Sequence, residues 1–138
     1  MLMPRRSVAL LVMTLAAGVP AIATDWPQFL GPDRNGTYAG PPLSENWGSS
    51  GPKVVWRKPV GQAFAGPAVV QNRVLVFHRV GNEEVLESLD AKTGASGWRY
   101  AYPTNYRDDF GFDEGPRAVP VVADGIVYTF GAQGQLHA

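Results

Sequence analysis

The sequence predicts an all-β protein built from four-stranded antiparallel units. Three observations predict it. Short runs of β-branched and aromatic residues recur from residue 53 onward, each bounded by Gly, Pro, Asn or Asp. The chain of 138 residues holds 16 glycines and 12 prolines, about a fifth of the total, which demands many turns and leaves little room for long helices. A strand–turn–strand pattern then returns later in the chain. Twelve basic and twelve acidic side chains cancel, so there is no basic excess to attract nucleic acid. Cysteine is absent, which excludes a disulfide framework, a thiolate metal site, a cysteine nucleophile and a lipid-modified cysteine anchor.

The elements follow in order. Residues 1–23 have the three-part layout of a signal peptide. Arg5 and Arg6 precede the uncharged run Val8 to Ala17, Gly18 and Pro20 break it, and Ala21-Ile22-Ala23 offers a small-residue cleavage site. The rival reading is a membrane anchor. The stretch from Val8 to Ala23 has only 16 residues and contains both breakers, whereas a helix spanning a bilayer needs roughly 20. Cleavage after Ala23 is therefore expected, with a periplasmic or secreted product that keeps no transmembrane anchor. That product carries 10 basic and 12 acidic groups, a net charge of −2. Residues 24–52 read as an ordered arm with turns, pinned by Trp26 and Phe29. Asp33-Arg34-Asn35-Gly36 is a strong turn signal, and the glycosylation-type triplet Asn35-Gly36-Thr37 is read as part of that turn.

From residue 53 the predicted strands are Val54-Val55-Trp56, Ala68 to Val70, Val74 to Phe77, Glu84 to Leu89, Trp98 to Tyr100, Val119 to Val122 and Ile126 to Phe130. No linker between them can hold a crossover helix, so neighbours pair antiparallel. Val69 to Leu75 aligns with Val121 to Val127 at an offset of 52. Leu86-Glu87-Ser88 aligns with Leu136-His137-Ala138 at 50, and Trp56-Arg57 with Trp98-Arg99 at 42. The change from 52 to 50 implies a hairpin two residues shorter in the second copy. Four antiparallel strands per repeat describe a β-propeller blade. Residues 53–138 then hold the outer strand of one blade, one whole blade and most of another, which is the expectation for the N-terminal fragment of a propeller.

One stretch carries a family resemblance. Leu89-Asp90-Ala91-Lys92-Thr93-Gly94-Ala95-Ser96-Gly97-Trp98 resembles the tryptophan-docking motif of quinoprotein-type propellers, the pyrroloquinoline-quinone (PQQ) repeat proteins. In that pattern Asp90 and Thr93 bond the backbone of a turn that Gly94 closes, and Trp98 stacks on a neighbouring blade. Ser88 stands where Ala is usual, and Ala95, Ser96 and Gly97 replace the usual Lys, Glu and β-former. Trp26-Pro27-Gln28-Phe29 with Gly31-Pro32, Arg34 and Gly36 is similar to the same exported proteins, as is Gly115-Pro116-Arg117. The resemblance implies an eight-bladed propeller when complete. It also implies an activity: quinone-dependent oxidation of a small alcohol or sugar, with PQQ and Ca²⁺ as cofactors of the full-length protein and none for the fragment. The alternative is a non-catalytic module that binds envelope proteins, like the outer-membrane assembly propeller. That protein is anchored through a cysteine, which is lacking here.

A propeller's chemistry sits on its loops, here Gly61 to Gly66, Arg79 to Glu83, Tyr102 to Arg117 and Gly131 to Gly134. The long third loop offers Tyr106, Arg107 and Arg117 as candidates to grip a planar anionic quinone. In the competing reading these arginines pair with the loop's own acids and brace adjoining blades. Asp108, Asp109, Asp113 and Glu114 lack the alternating spacing of a calcium loop, so no metal ligand is assigned. Asp109-Phe110-Gly111 copies a kinase tripeptide without its companions. His78 and His137 are the only histidines; His78 is expected at the surface, at a strand end. No nucleophile–base pair is visible, so the catalytic residues stay unassigned.

Overall fold

The computed structural model describes residues 25–138, so the expected signal peptide lies outside the described residues. The described chain is all β. Strands β1 (Ala68–Val70), β2 (Arg73–Val80), β3 (Glu83–Asp90) and β4 (Ser96–Pro103) form one antiparallel meander in the order β1-β2-β3-β4. Strands β5 (Val121–Ala123), β6 (Ile126–Phe130) and β7 (Leu136–His137) form a second, in the order β5-β6-β7. The sheets do not close into a ring.

Turn chemistry sets the register. Gln71 adopts a left-handed conformation, φ 53°, and its N–H is held by Asp25 Oδ1 at 2.7 Å. That tight turn pairs Val69 with Val74. Gly81, φ 60°, turns β2 into β3, so Phe77 faces Leu86. Between β3 and β4 the pairing slips: Ser88 faces Trp98, but Leu89 faces Ser96. Gly97 is the extra residue of this bulge. A side chain there would run into the Ser88 carbonyl and the Arg73 guanidinium, which explains glycine where a β-former is usual.

The second sheet follows the same plan, with one correction. Val122 pairs with Val127 as Val69 does with Val74, and left-handed Asp124, φ 50°, matches Gln71. The structural offset is therefore 53 and not 52. Strand side chains alternate between faces, so a slip of one residue moves each to the wrong face. Leu86 and Leu136 keep the offset of 50, facing Phe77 and Phe130 respectively. The second hairpin is thus three residues shorter, not two.

The core lies between the sheets. Ala68, Leu75, Phe77, Leu86 and Tyr102 pack against Val119, Val122 and Val127. The segment 56–62 approaches the first sheet through Trp56, Lys58 and Gly61. Val54-Val55-Trp56 forms no strand, contrary to expectation: it makes no backbone ladder, and Val55 is exposed. The arm's backbone joins both sheets. Trp26 exchanges two backbone bonds with Val69 (2.7 and 2.9 Å), and the Pro27 carbonyl accepts from Val122 N–H at 2.8 Å. The Trp26 ring lies over Gly31, φ 79°, where a Cβ would come within 2.7 Å of it. Phe29, expected as a second pin, is 66% exposed.

Candidate functional site at the loop end

Bonds join the four loops at one end of the molecule. Gln62 pairs with Arg79 through both backbone groups, and Phe64 and Ala65 donate to the Pro116 carbonyl. Thr104 N–H donates to Asn82 O, and Gln133 takes Thr104 Oγ1–H at 3.0 Å and Asn105 N–H at 3.1 Å. At the centre is Arg79, which sequence reasoning assigned no role. Its buried guanidinium donates to the carbonyls of Gly81 (2.8 Å), Tyr106 (2.7 Å) and Glu114 (3.3 Å), and it faces Glu114 Oε2 at 3.2 Å. A planar fork with five donors suits a crossing of several carbonyls. The available signal was an arginine two positions before a Gly-Asn turn and opposite a long loop.

Of the three quinone-gripping candidates, the two arginines are paired with carboxylates. Arg107, exposed, reaches Glu114 Oε2 at 2.9 Å. Arg117 pairs with Asp108 Oδ1 at 3.0 Å and sits between two aromatic rings, 5.2 Å from the centroid of Phe64 and 5.0 Å from that of Tyr106. Arg107 lines a hollow of about 500 Å³ with Arg79 and Glu114, whereas Arg117 lines a separate apolar groove of about 870 Å³ with Trp26, Phe29 and Phe64. Tyr106 lines neither. Arg107 and Arg117 thus open on separate hollows, while Arg117 keeps the Tyr106 ring at 5.0 Å. Among the described residues no three His, Asp or Glu side chains gather to hold a metal ion. Within the acidic run, Asp108 and Glu114 are tied to arginines, while Asp108 Oδ2 and Asp113 Oδ1 accept backbone N–H groups.

Beneath the loops lies a buried acid. Glu84 is wholly enclosed; its Oε2 accepts from Tyr102 Oη–H and its Oε1 from Ala132 N–H at 2.8 Å. Burial, then the Glu84 hydrogen bond, push the Tyr102 phenol above its ordinary range, so it stays protonated as the donor. Gly131 leaves the room this pair needs, since a Cβ there would strike both oxygens. His137 stacks 4.3 Å from the Tyr102 ring. The contact belongs to the inter-sheet core.

At the opposite end stands the docking turn. Asp90 Oδ1 accepts from Lys92 N–H (3.0 Å), Thr93 N–H (2.9 Å) and Thr93 Oγ1–H (2.9 Å). These bonds, Thr93's hydroxyl first, hold the Asp90 carboxyl below the usual carboxylate range. Gly94 N–H returns to Asp90 O at 2.8 Å with φ 72°. The ring over this turn is Trp56, which lies 2.8 Å from where a Gly94 Cβ would stand, and its Nε1–H donates to Ala91 O at 2.9 Å. Trp98 is 44% exposed and lines a hollow of about 460 Å³ with Leu86, Ile126 and His137. The alignment of Trp56 with Trp98 was the signal for an equivalent anchor.

His78 corrects another expectation. It lies within β2 and is 3% exposed. Val85 lies across from it in β3, and the Gly61 backbone closes on its ring. Burial pulls its imidazole below the ordinary value; Glu87 opposes this, and Lys58 and Arg99 add to it. Comparison with known proteins returns no matching family model, no matching curated protein and no matching solved structure. No helix among the described residues is long and apolar enough to cross a membrane.

Proposed function

We propose that the chain is an exported β-propeller repeat protein of the PQQ-binding-like kind, and that residues 25–138 supply blade framework and a binding surface. The observation that carries this reading is the seat of Trp56 on the turn Asp90 to Gly94, with its indole over Gly94 and its N–H on the Ala91 carbonyl. A ring docked flat on one sheet's turn is how stacked β-units hold together, because it buries a large apolar area and satisfies its one polar atom. The committed guanidiniums of Arg79, Arg107 and Arg117 support a scaffold role for the loop end. On this reading its function is the binding of envelope proteins, with quinone-dependent oxidation of a small alcohol or sugar by the full-length protein as the competing reading.

The test is titration of the exported protein with PQQ and Ca²⁺, followed by tryptophan fluorescence, beside N-terminal sequencing. The scaffold reading expects no saturable quenching at micromolar quinone and a mature N-terminus at Thr24. Saturable binding with dye-linked alcohol oxidation overturns the scaffold role in favour of the dehydrogenase. An intact Met1 in a membrane fraction overturns export with cleavage.

A further inference from the structure

We propose that His78 is a pH-sensitive latch: as a neutral imidazole it holds the segment 57–62 on the first sheet, and on protonation it lets go. The geometry rests on one bond. Gly61 N–H donates to His78 Nδ1 at 2.7 Å. A backbone N–H can only donate, so Nδ1 carries no proton and the imidazole's single hydrogen sits on Nε2. That second nitrogen is enclosed and has no hydrogen-bond partner. A second proton has to go to Nδ1. It then points at the Gly61 N–H, two donors face each other, and the bond is lost.

The surroundings disfavour the added charge. Facing His78 are Lys58 from the docked segment, Arg99 from β4 and Glu87 from β3. Glu87 is the one carboxylate of the three, and it is already bridged to Lys58 at 3.0 Å. The imidazolium would therefore share its one carboxylate with Lys58 and have little water.

The consequence reaches the loop end. Gly61 precedes Gln62, whose backbone pairs with Arg79 and whose Oε1 accepts from Glu114 N–H at 3.1 Å. These residues, with Arg107, line the hollow of about 500 Å³. Freeing Gly61 loosens one wall of that hollow. The sign follows from linkage: an imidazole whose folded value lies below the ordinary 6.5 keeps the latch shut at neutral pH, and stability is lost as pH falls below 6.5.

The experiment is a nitrogen-15 NMR titration of the full chain from about pH 7.5 to about 4.5, with amide exchange read at each step. Only two histidines are present, so His137→Gln leaves His78 as the one imidazole signal. The expected result is a His78 midpoint below 6.5 and, at the same midpoint, a roughly tenfold loss of Gly61 amide protection beyond the intrinsic change in exchange rate. His78→Gln keeps a carbonyl acceptor but cannot titrate, and its Gly61 protection should stay flat. Gly61 protection that is unmoved through the wild-type His78 titration overturns the latch, and so does an equal loss in His78→Gln. Should that variant not fold, the coincidence of the two wild-type midpoints decides alone.

Discussion

Phe77 in β2 and Phe130 in β6 occupy the same position in two copies of one strand plan, each opposite a leucine, Leu86 and Leu136. Phe77 is 0% exposed and Phe130 53%. The strands share their register and this phenylalanine. What differs is the cover: the second sheet lies over Phe77, and among the described residues no sheet lies over Phe130. Burial in this architecture is a property of the pair of sheets and not of the strand, so the same residue in the two copies carries unequal energies.

The largest expected effect tests that difference directly. Phe77→Ala should cost about 3–5 kcal/mol, as large-to-small changes in a closed core do. Phe130→Ala should cost less than about 1 kcal/mol, since half its surface is already wet. Urea midpoints of the two variants measure both. Equal losses would mean that Phe130 is covered in solution and that the two sheets are equivalent.

The two tryptophans sharpen the same contrast at the turn end. Trp56 is seated on Gly94 and bonded to Ala91, whereas Trp98 faces an open hollow. Trp56→Ala should cost about 2–3 kcal/mol from lost apolar contact and a lost hydrogen bond. Trp98→Ala should cost about 1 kcal/mol. Trp56→Phe keeps the ring and loses the N–H, so it separates the two contributions. A greater loss for Trp98 in equilibrium unfolding would reverse the assignment of the anchor.

The comparison also shows what the sequence could and could not reveal. The strands were legible because β-branched runs end at Gly, Asn and Asp, and the turn at Asp90 was legible because its Asp-x-x-Thr-Gly chemistry is local. The grouping of the four loops came from the expected propeller plan, which alternates strand direction so that every second loop falls at the same end. The repeat register was missed by one residue because Val, Ile and Leu fill successive positions here, and an unbroken apolar run gives alternation nothing to lock onto. Val54 to Trp56 has strand composition, but a strand needs a partner, and composition does not supply one. Arg79, Glu84 and His78 were missed for a common reason: each is a polar residue in a strand, and its burial comes from segments 15 or more residues away, Tyr106 and Glu114 for Arg79, Tyr102 and Ala132 for Glu84, and Gly61 for His78. Nothing in the local pattern marks such a residue as enclosed.

Glu84 gives the next effect in size. Its bond from Ala132 N–H links the first sheet to the β6–β7 loop, where Phe77 links the sheets by contact. Tyr102→Phe removes one hydroxyl and leaves Glu84 Oε2 buried without that donor. The loss should be about 1–3 kcal/mol, the cost of an unsatisfied buried acceptor. Glu84→Gln in the same background should recover part of it, because a neutral amide tolerates burial better than a carboxylate. A Tyr102→Phe variant as stable as the parent in urea would show that water reaches Glu84, and that the inter-sheet space is less closed at this end than at Phe77.

The smallest effect concerns two guanidiniums on one carboxylate. Arg79 and Arg107 reach the same Glu114 Oε2, at 3.2 and 2.9 Å. Distance alone ranks Arg107 first, but environment reverses the order. The Arg79 side chain is 3% exposed and also satisfies three loop carbonyls, whereas that of Arg107 is 64% exposed. Water screens an exposed pair, and the long side chain loses freedom to hold it, so Arg107→Ala should cost less than about 0.5 kcal/mol. Its salt dependence should be correspondingly flat, because removing Arg107 leaves Glu114 still answered by Arg79. Thermal unfolding of Arg107→Ala at low and high salt checks both statements. A loss above about 1 kcal/mol that vanishes in salt would show that the pair with Arg107, and not the one with Arg79, holds the long loop to the sheet.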